Sequence, residues 1–166
     1  GTNGKTTVAH MLHHLLTSNR IKSEIGGNVG NSAAEIALKY QTTNQILPSW
    51  LVMELSSYQI ESAPSISPEI GIWTTLTPDH LDRHGSLNKY ASIKQSLLEK
   101  SSFRIYNADD KYLMGQRNKL KSGVWISTNY KDYFHDNQVD YCVNSKGIVF
   151  EKGNEMFDSS ILSIPG

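Results

Sequence analysis

Gly1-Thr2-Asn3-Gly4-Lys5-Thr6-Thr7 is a glycine-rich turn that carries a lysine and two hydroxyl residues, and an apolar stripe begins directly after it. Glycines lack a Cβ, so such a turn can bring successive backbone N–H groups close to an anion, and the positive end of a following helix adds to the field. In a cradle of this kind Lys5 reaches the β- and γ-phosphates and the Thr6 hydroxyl holds Mg²⁺. The general phosphate loop has four residues between its glycines, and here there are two. Two readings follow: a loop of a different type, or a chain that begins inside the motif, with the feeding strand and first glycine before residue 1. Val8, Met11, Leu12, Leu15 and Leu16 fall at i, i+3, i+4, i+7 and i+8, which predicts a helix over about Thr6 to Ser18 with one buried stripe. His10, His13 and His14 lie on the other face with no carboxylate or cysteine beside them, and read as solvated histidines rather than a metal site.

Working outward, three apolar runs read as buried strands of a parallel sheet: Trp50 to Leu55, Ile70 to Leu76 and Phe103 to Tyr106. Helical stretches alternate with them at about Thr6 to Ser18, Ser32 to Tyr40, Ser57 to Ser62 and Leu87 to Lys100. That alternation predicts an α/β fold of the P-loop type, doubly wound around a mainly parallel sheet with right-handed crossovers. From about Val124 the runs shorten, and turn signals at Asn144-Ser145-Lys146-Gly147 and Lys152-Gly153-Asn154 separate Tyr141-Cys142-Val143, Ile148-Val149-Phe150 and Ile161-Leu162. The expectation is a small antiparallel β subdomain over about residues 124–166. The tail Ser163-Ile164-Pro165-Gly166 reads as a turn.

The 166 residues fit one domain, or one domain with a small subdomain. Sixteen basic and sixteen acidic residues cancel, so nothing in the charge favours nucleic acid or an anionic membrane as a general partner. The single cysteine, Cys142, excludes an internal disulfide and fits a reducing compartment. No apolar run approaches the roughly 20 residues of a membrane span. The expected location is the cytoplasm.

Ligands of open α/β sheets bind beyond the carboxyl ends of the strands. There the chain places Glu54 after Leu51-Val52-Met53, Asp79-His80-Leu81-Asp82 after the Ile70 run, and Asn107-Ala108-Asp109-Asp110 after Ile105-Tyr106. Glu54 stands where a phosphate-loop protein keeps its second Mg²⁺ contact, although a strand-end surface acid is an equal reading for this residue alone. Lys94 shares a helix face with Tyr90, Leu97 and Leu98. A buried lysine is costly unless paired or modified, so periodicity favours a snorkelling side chain with its ammonium in water. Gly26-Gly27-Asn28-Val29-Gly30 reads either as a ligand-reaching loop or as a flexible connection.

Taken together, the opening loop, Gly26-Gly27-Asn28-Val29-Gly30, Glu54-Leu55-Ser56-Ser57-Tyr58-Gln59-Ile60-Glu61, Thr77-Pro78-Asp79-His80-Leu81-Asp82-Arg83-His84 and Asn107-Ala108-Asp109-Asp110 resemble the Mur ligase family over essentially the whole chain. Their order and spacing are most like its D-glutamate-adding members. The family's short loop accounts for the glycine spacing. The resemblance implies an ATP- and Mg²⁺-dependent ligase of peptidoglycan synthesis, joining D-glutamate to UDP-N-acetylmuramoyl-L-alanine through an acyl phosphate. It implies that Gly1, Thr2, Asn3, Gly4, Lys5, Thr6 and Thr7 bind the nucleotide, and that Lys5, His80 and Lys94 serve catalysis. Thr6 and Glu54 would hold one Mg²⁺ and His80 a second. Lys94 matches a lysine that the family carries as a carbamate beside the metal, a role that reverses the snorkelling reading. Asn28 and Ser56 would face phosphate or the muramoyl substrate.

The family also has an N-terminal domain for the uridine nucleotide and a C-terminal domain for the amino acid, and neither is in this sequence. The expectation is therefore a central ATPase domain, residues 1–166, inactive as a ligase by itself. Two rivals remain at this stage: another Mur or folylpolyglutamate-type ligase, and a nucleotide-binding module without ligase activity.

Overall fold

Two parallel strands organise the first third of the chain in the structure, a computed structural model that describes residues 4–129 and 138–161. Strand β1 (Ser23–Gly27) pairs with β2 (Trp50–Glu54), with Ser23 opposite Trp50 and Gly27 opposite Glu54. Helix α1 (Lys5–Ser18) packs on both strands, and α2 (Ala33–Thr43) crosses between them and packs on β1. Each later helix of this part starts on a reciprocal serine cap. Ser32 Oγ accepts from Glu35 N at 3.2 Å while Ser32 N donates to Glu35 Oε2 at 2.7 Å. Ser56 and Gln59 do the same at the start of α3 (Ser57–Ser62). The described residues 4–64 form one compact unit and residues 65–161 another.

β1 lies where sequence reading placed only a glycine turn. Its sequence Ser-Glu-Ile-Gly-Gly has one β-branched residue and no alternation, so pairing with β2 makes the strand, not local preference. The glycines are needed for closeness. A Cβ on Gly26 would stand 2.3 Å from Asn31 O and 2.6 Å from Ile36 Cδ1; on Gly27, whose φ is 106°, it would stand 2.2 Å from Glu54 O. Gly27 N donates to Asn31 O at 2.9 Å and Asn28 N to Glu54 O at 2.7 Å, so the segment is a tightly bonded turn rather than a flexible connection.

The second unit is a six-stranded sheet in sequence order. Strands β3 (Ile70–Trp73), β4 (Phe103–Asn107), β5 (Val124–Ser127) and β6 (Tyr141–Val143) pair parallel, and β7 (Ile148–Glu151) and β8 (Asn154–Asp158) continue it antiparallel. The expected antiparallel subdomain therefore begins one strand pair later than the sequence texture placed it. β5 is a main-sheet strand because Trp125 turns into the core and stacks on Tyr106 at 4.9 Å between ring centroids. A four-residue apolar run carries no information on strand direction. Asn154, read as the end of a turn, starts β8, while Ile161 sits in a 3₁₀ turn, Ser159–Ile161. Leu162 and the Ser163–Gly166 tail lie outside the described residues.

Helices α4 (Leu81–His84), α5 (Leu87–Lys100) and α6 (Lys111–Gly115) complete this unit, α4 and α6 being too short to leave a periodic signal. Trp73, Leu76, Tyr90, Leu98, Tyr106 and Trp125 belong to its core. Asn107-Ala108-Asp109-Asp110 ties the strand ends together. Asn107 Nδ2 donates to Thr74 O at 2.8 Å; Asp109 accepts from the Ser127 and Thr128 hydroxyls and from Thr128 N; Asp110 accepts from Leu76 N at 2.6 Å and caps α6 by accepting from Leu113 N at 2.9 Å.

Two stability outcomes follow for the protein that carries this chain. Asp110→Ala orphans two buried N–H groups, and urea unfolding is expected to show a loss of about 2–4 kcal/mol, with Asp110→Asn losing less. Gly27→Ala meets both a left-handed φ and a backbone atom 2.2 Å away, whereas Gly153, at φ 83°, has open space around it. Gly153→Ala is expected to cost about 1 kcal/mol and Gly27→Ala at least ~3 kcal/mol in the same measurement.

Candidate functional site

Glu54 ends β2 and is 5% exposed. Burying a carboxylate requires donors, and two are in place: Thr6 Oγ1 donates to Oε2 at 2.6 Å, and Asn28 Nδ2 donates to Oε1 at 3.2 Å. Three segments distant in sequence meet at this carboxylate, namely the first turn of α1, the turn after β1 and the end of β2. The equal-odds reading of Glu54 as a strand-end surface acid is thereby excluded.

Gly4 caps α1 in a left-handed conformation (φ 83°), and a Cβ there would meet nothing within 4 Å. No side chain caps the helix, in contrast to α2 and α3, and its first turn has no acid of its own, in contrast to α2. The first-turn N–H groups of this 14-residue helix carry the positive end of its dipole, and the carboxylate beside them is that of Glu54, from another segment. Lys5, half-buried, and Thr6 and Thr7, exposed, occupy that turn. Gly1, Thr2 and Asn3 lie outside the described residues. A hydroxyl and a carboxylate 2.6 Å apart are hard oxygen donors, the kind that Mg²⁺ takes, beside an anion-attracting helix start. The residues present therefore fit a magnesium–phosphate group. Among the described residues no three His, Cys, Asp or Glu side chains converge as an all-protein metal cage.

Ser56 is committed locally. Its hydroxyl accepts from Gln59 N at 3.3 Å and donates to Gln59 Oε1 at 2.9 Å, which fixes the start of α3. Of the histidines on α1, His10 and His14 are exposed or partly so, as expected; His13 is half-buried, with Nδ1 2.8 Å from Ser23 Oγ, so it joins α1 to β1 rather than facing solvent. A groove of about 520 Å³ along α2, lined by Ile36, Tyr40, Leu47 and Leu51, contains none of the residues singled out from the sequence.

In the second unit His80 is exposed, sits at φ 52° before α4, and has Nε2 3.3 Å from Asp79 Oδ2. Lys94 is 5% exposed on the inner face of α5, its Nζ 4.9 Å from the Tyr90 ring centroid. The snorkelling expectation fails: α5 carries Tyr90, Ala91, Lys94 and Leu98 on its buried side, and the lysine goes in with them. His84, quoted only as the end of a motif, is buried and stacks on the same Tyr90 at 5.3 Å between centroids. A histidine closing a four-residue helix leaves no periodic trace that would have flagged it.

Comparison with known proteins agrees with this arrangement. The Mur ligase middle domain family matches residues 1–164. A UDP-N-acetylmuramoylalanine–D-glutamate ligase of Prochlorococcus marinus is 60% identical over all of this chain, which covers 35% of that protein. One of a Synechococcus species is 48% identical, again over the whole chain and 36% of the relative. The chain thus spans about a third of the length of the curated relatives it matches. In fold it is similar to a MurF ligase from Thermotoga maritima solved in complex with ADP, at a TM-score of 0.60, 16% identity, and coverage of 93% of this chain and 37% of that one. Matched from residue 1 to 164, the chain belongs to the Mur ligase middle domain family.

Proposed function

We propose that this chain is the ATP-handling part of a ligase that joins D-glutamate to UDP-N-acetylmuramoyl-L-alanine in the cytoplasm. The observation that carries the reading is the Thr6–Glu54 contact at the uncapped start of α1, supported by relatives of that name at up to 60% identity. A carboxylate is a poor acyl donor. Transfer of the γ-phosphoryl group to the muramoyl carboxylate creates a leaving group; the D-glutamate amine then attacks the carbonyl carbon, and the tetrahedral adduct expels phosphate as the C–N bond is kept. Mg²⁺, when bound, neutralises charge on the phosphates.

Lys5 and the first-turn N–H groups of α1 hold phosphate oxygens; Thr6 and Glu54 offer metal donors, and Asn28 keeps Glu54 in place. The Thr6 hydroxyl would offer a lone pair to the metal while its O–H still donates to Glu54. In the second unit we assign His80 a metal contact and Lys94 a carbamate. The burial of Lys94, where lysine is ordinarily found at the surface, supports the latter. The uridine-binding and amino-acid-binding domains belong to the longer protein, and ligation requires them.

The test uses the full-length protein. ATP-dependent incorporation of D-glutamate, and not of other amino acids, is expected; turnover with another acceptor would move the chain to a different ligase, and nucleotide binding without turnover would make it a binding module. Lys5→Ala is expected to lower kcat/KM for ATP by about 100-fold or more, and Glu54→Gln to raise the Mg²⁺ concentration needed for half-maximal rate. Lys94→Ala should be inactive and regain rate with added short carboxylic acids; full activity in that variant would reject the carbamate.

A further inference from the structure

Trp73 is 4% exposed, and its indole Nε1–H has no hydrogen-bond acceptor among the described residues. Buried donors are nearly always paired, so an orphan calls for a partner that the chain's ordinary side chains do not supply. The packing of α5 on β3 says where that partner lies. Gly71 and Trp73 are the two buried positions of β3 and share a face, since side chains repeat every second residue. A Cβ on Gly71 would meet Leu98 Cδ1 at 2.9 Å and Ser101 Oγ at 2.3 Å, which puts this face against the end of α5. β3 and β4 are parallel and α5 connects them, so the helix runs back against the strand. Two strand residues advance about 6.6 Å, a distance that about four helical residues cover. Four residues back from Leu98 is Lys94. Trp73, Tyr90 and Leu98 share one core cluster, and Lys94 Nζ lies over the Tyr90 ring.

The geometry points to Trp73 as a positioning residue for Lys94: its indole N–H donates to a carboxylate oxygen of the carbamate formed there. This rests on the carbamate reading above. In the modification the neutral Nζ lone pair forms an N–C bond to dissolved CO₂, one C–O π pair moves onto oxygen, and an Nζ proton leaves to water. A cation becomes an anion. The Tyr90 face attracts the ammonium and repels a carboxylate, so the anionic form gains from a donor, and Trp73 is a buried donor with no acceptor among the described residues. The indole then sets the orientation in which the carbamate oxygens are held.

The experiment takes the full-length protein with ¹⁵N-labelled tryptophan, equilibrated with ¹³C-bicarbonate without Mg²⁺ or nucleotide. A carbamate carbon resonance is expected in the unaltered protein and absent in Lys94→Ala. The Trp73 indole N–H resonance, assigned by its loss in Trp73→Phe, is expected to move downfield with CO₂ and to stay fixed in Lys94→Ala. Trp73→Phe is expected to lower carbamate occupancy at fixed CO₂ about tenfold, the size of one hydrogen bond to a charged group. No carbamate in the unaltered protein overturns the reading of Lys94 itself. Carbamate accompanied by an unmoved indole resonance, or by unchanged occupancy in Trp73→Phe, overturns the Trp73 inference alone. Should Trp73→Phe fail to fold, selective labelling and the response of the unaltered protein, compared with Lys94→Ala, decide the matter.

Discussion

A carboxylate taken out of water must be met by donors, and in the first unit that requirement falls on Glu54. Its two oxygens accept from Thr6 and Asn28, and its backbone carbonyl accepts from Asn28 N. Each partner is on a different segment, so satisfying one side chain fixes the first turn of α1, the turn after β1 and the end of β2 together. The glycine pair follows from the same demand. Asn28 reaches Glu54 only if the β1 backbone comes within a distance of β2 that no Cβ at Gly27 would permit. Stability and function thus draw on the same atoms: the contacts that keep Glu54 buried also aim its carboxylate at the start of α1, where the anion-attracting N–H groups lie.

In the second unit two acids of one loop tie the strand ends together, Asp110 from a buried position and Asp109 from an exposed one. Asp109 and Asp110 accept from backbone and hydroxyl groups at the ends of β3 and β5 and at the start of α6. The two buried bonds to Asp110, from neutral donors to a charged acceptor, are worth about 1.5–3 kcal/mol each, and the exposed ones to Asp109 less. They hold the strand ends in fixed register, which in a parallel sheet is where function is built. His80 then projects from a left-handed position directly after this edge, with Asp79 beside it, while His84 four residues on is packed against Tyr90. One short helix therefore presents two histidines to opposite environments, and only the exposed one is accessible to a ligand.

Legibility in the sequence followed the physics of each element. Helices α3 and α5 were readable to the residue because serine caps and long apolar faces mark them locally. The apolar stripe of α1 and the place of Glu54 at the end of β2 were readable, since residue type and spacing carry them. Strand β1 was not, because two glycines erase any β preference and its pairing comes from β2, distant in sequence. The direction of β5 was set by Trp125 stacking on Tyr106, a contact between separate runs. Lys94 defeated periodicity in a different way. The helix face was read correctly, but the rule that lysine snorkels was applied to a residue that stays inside.

That failure and the orphan N–H of Trp73 concern one interface. A globular core ordinarily excludes a lysine, and ordinarily pairs an indole; the β3–α5 packing breaks both rules within a few residues of Tyr90. Elsewhere among the described residues the buried polar side chains have partners, from Asp110 to Ser127. The orphan donor is therefore at the interface where a cation-to-anion change is proposed. An anion buried there would need donors, and the indole would gain its acceptor. Consistency of local rules is what makes a sequence fold to one state, so a buried donor left over in the packed core marks a place where function, rather than stability, sets the residue.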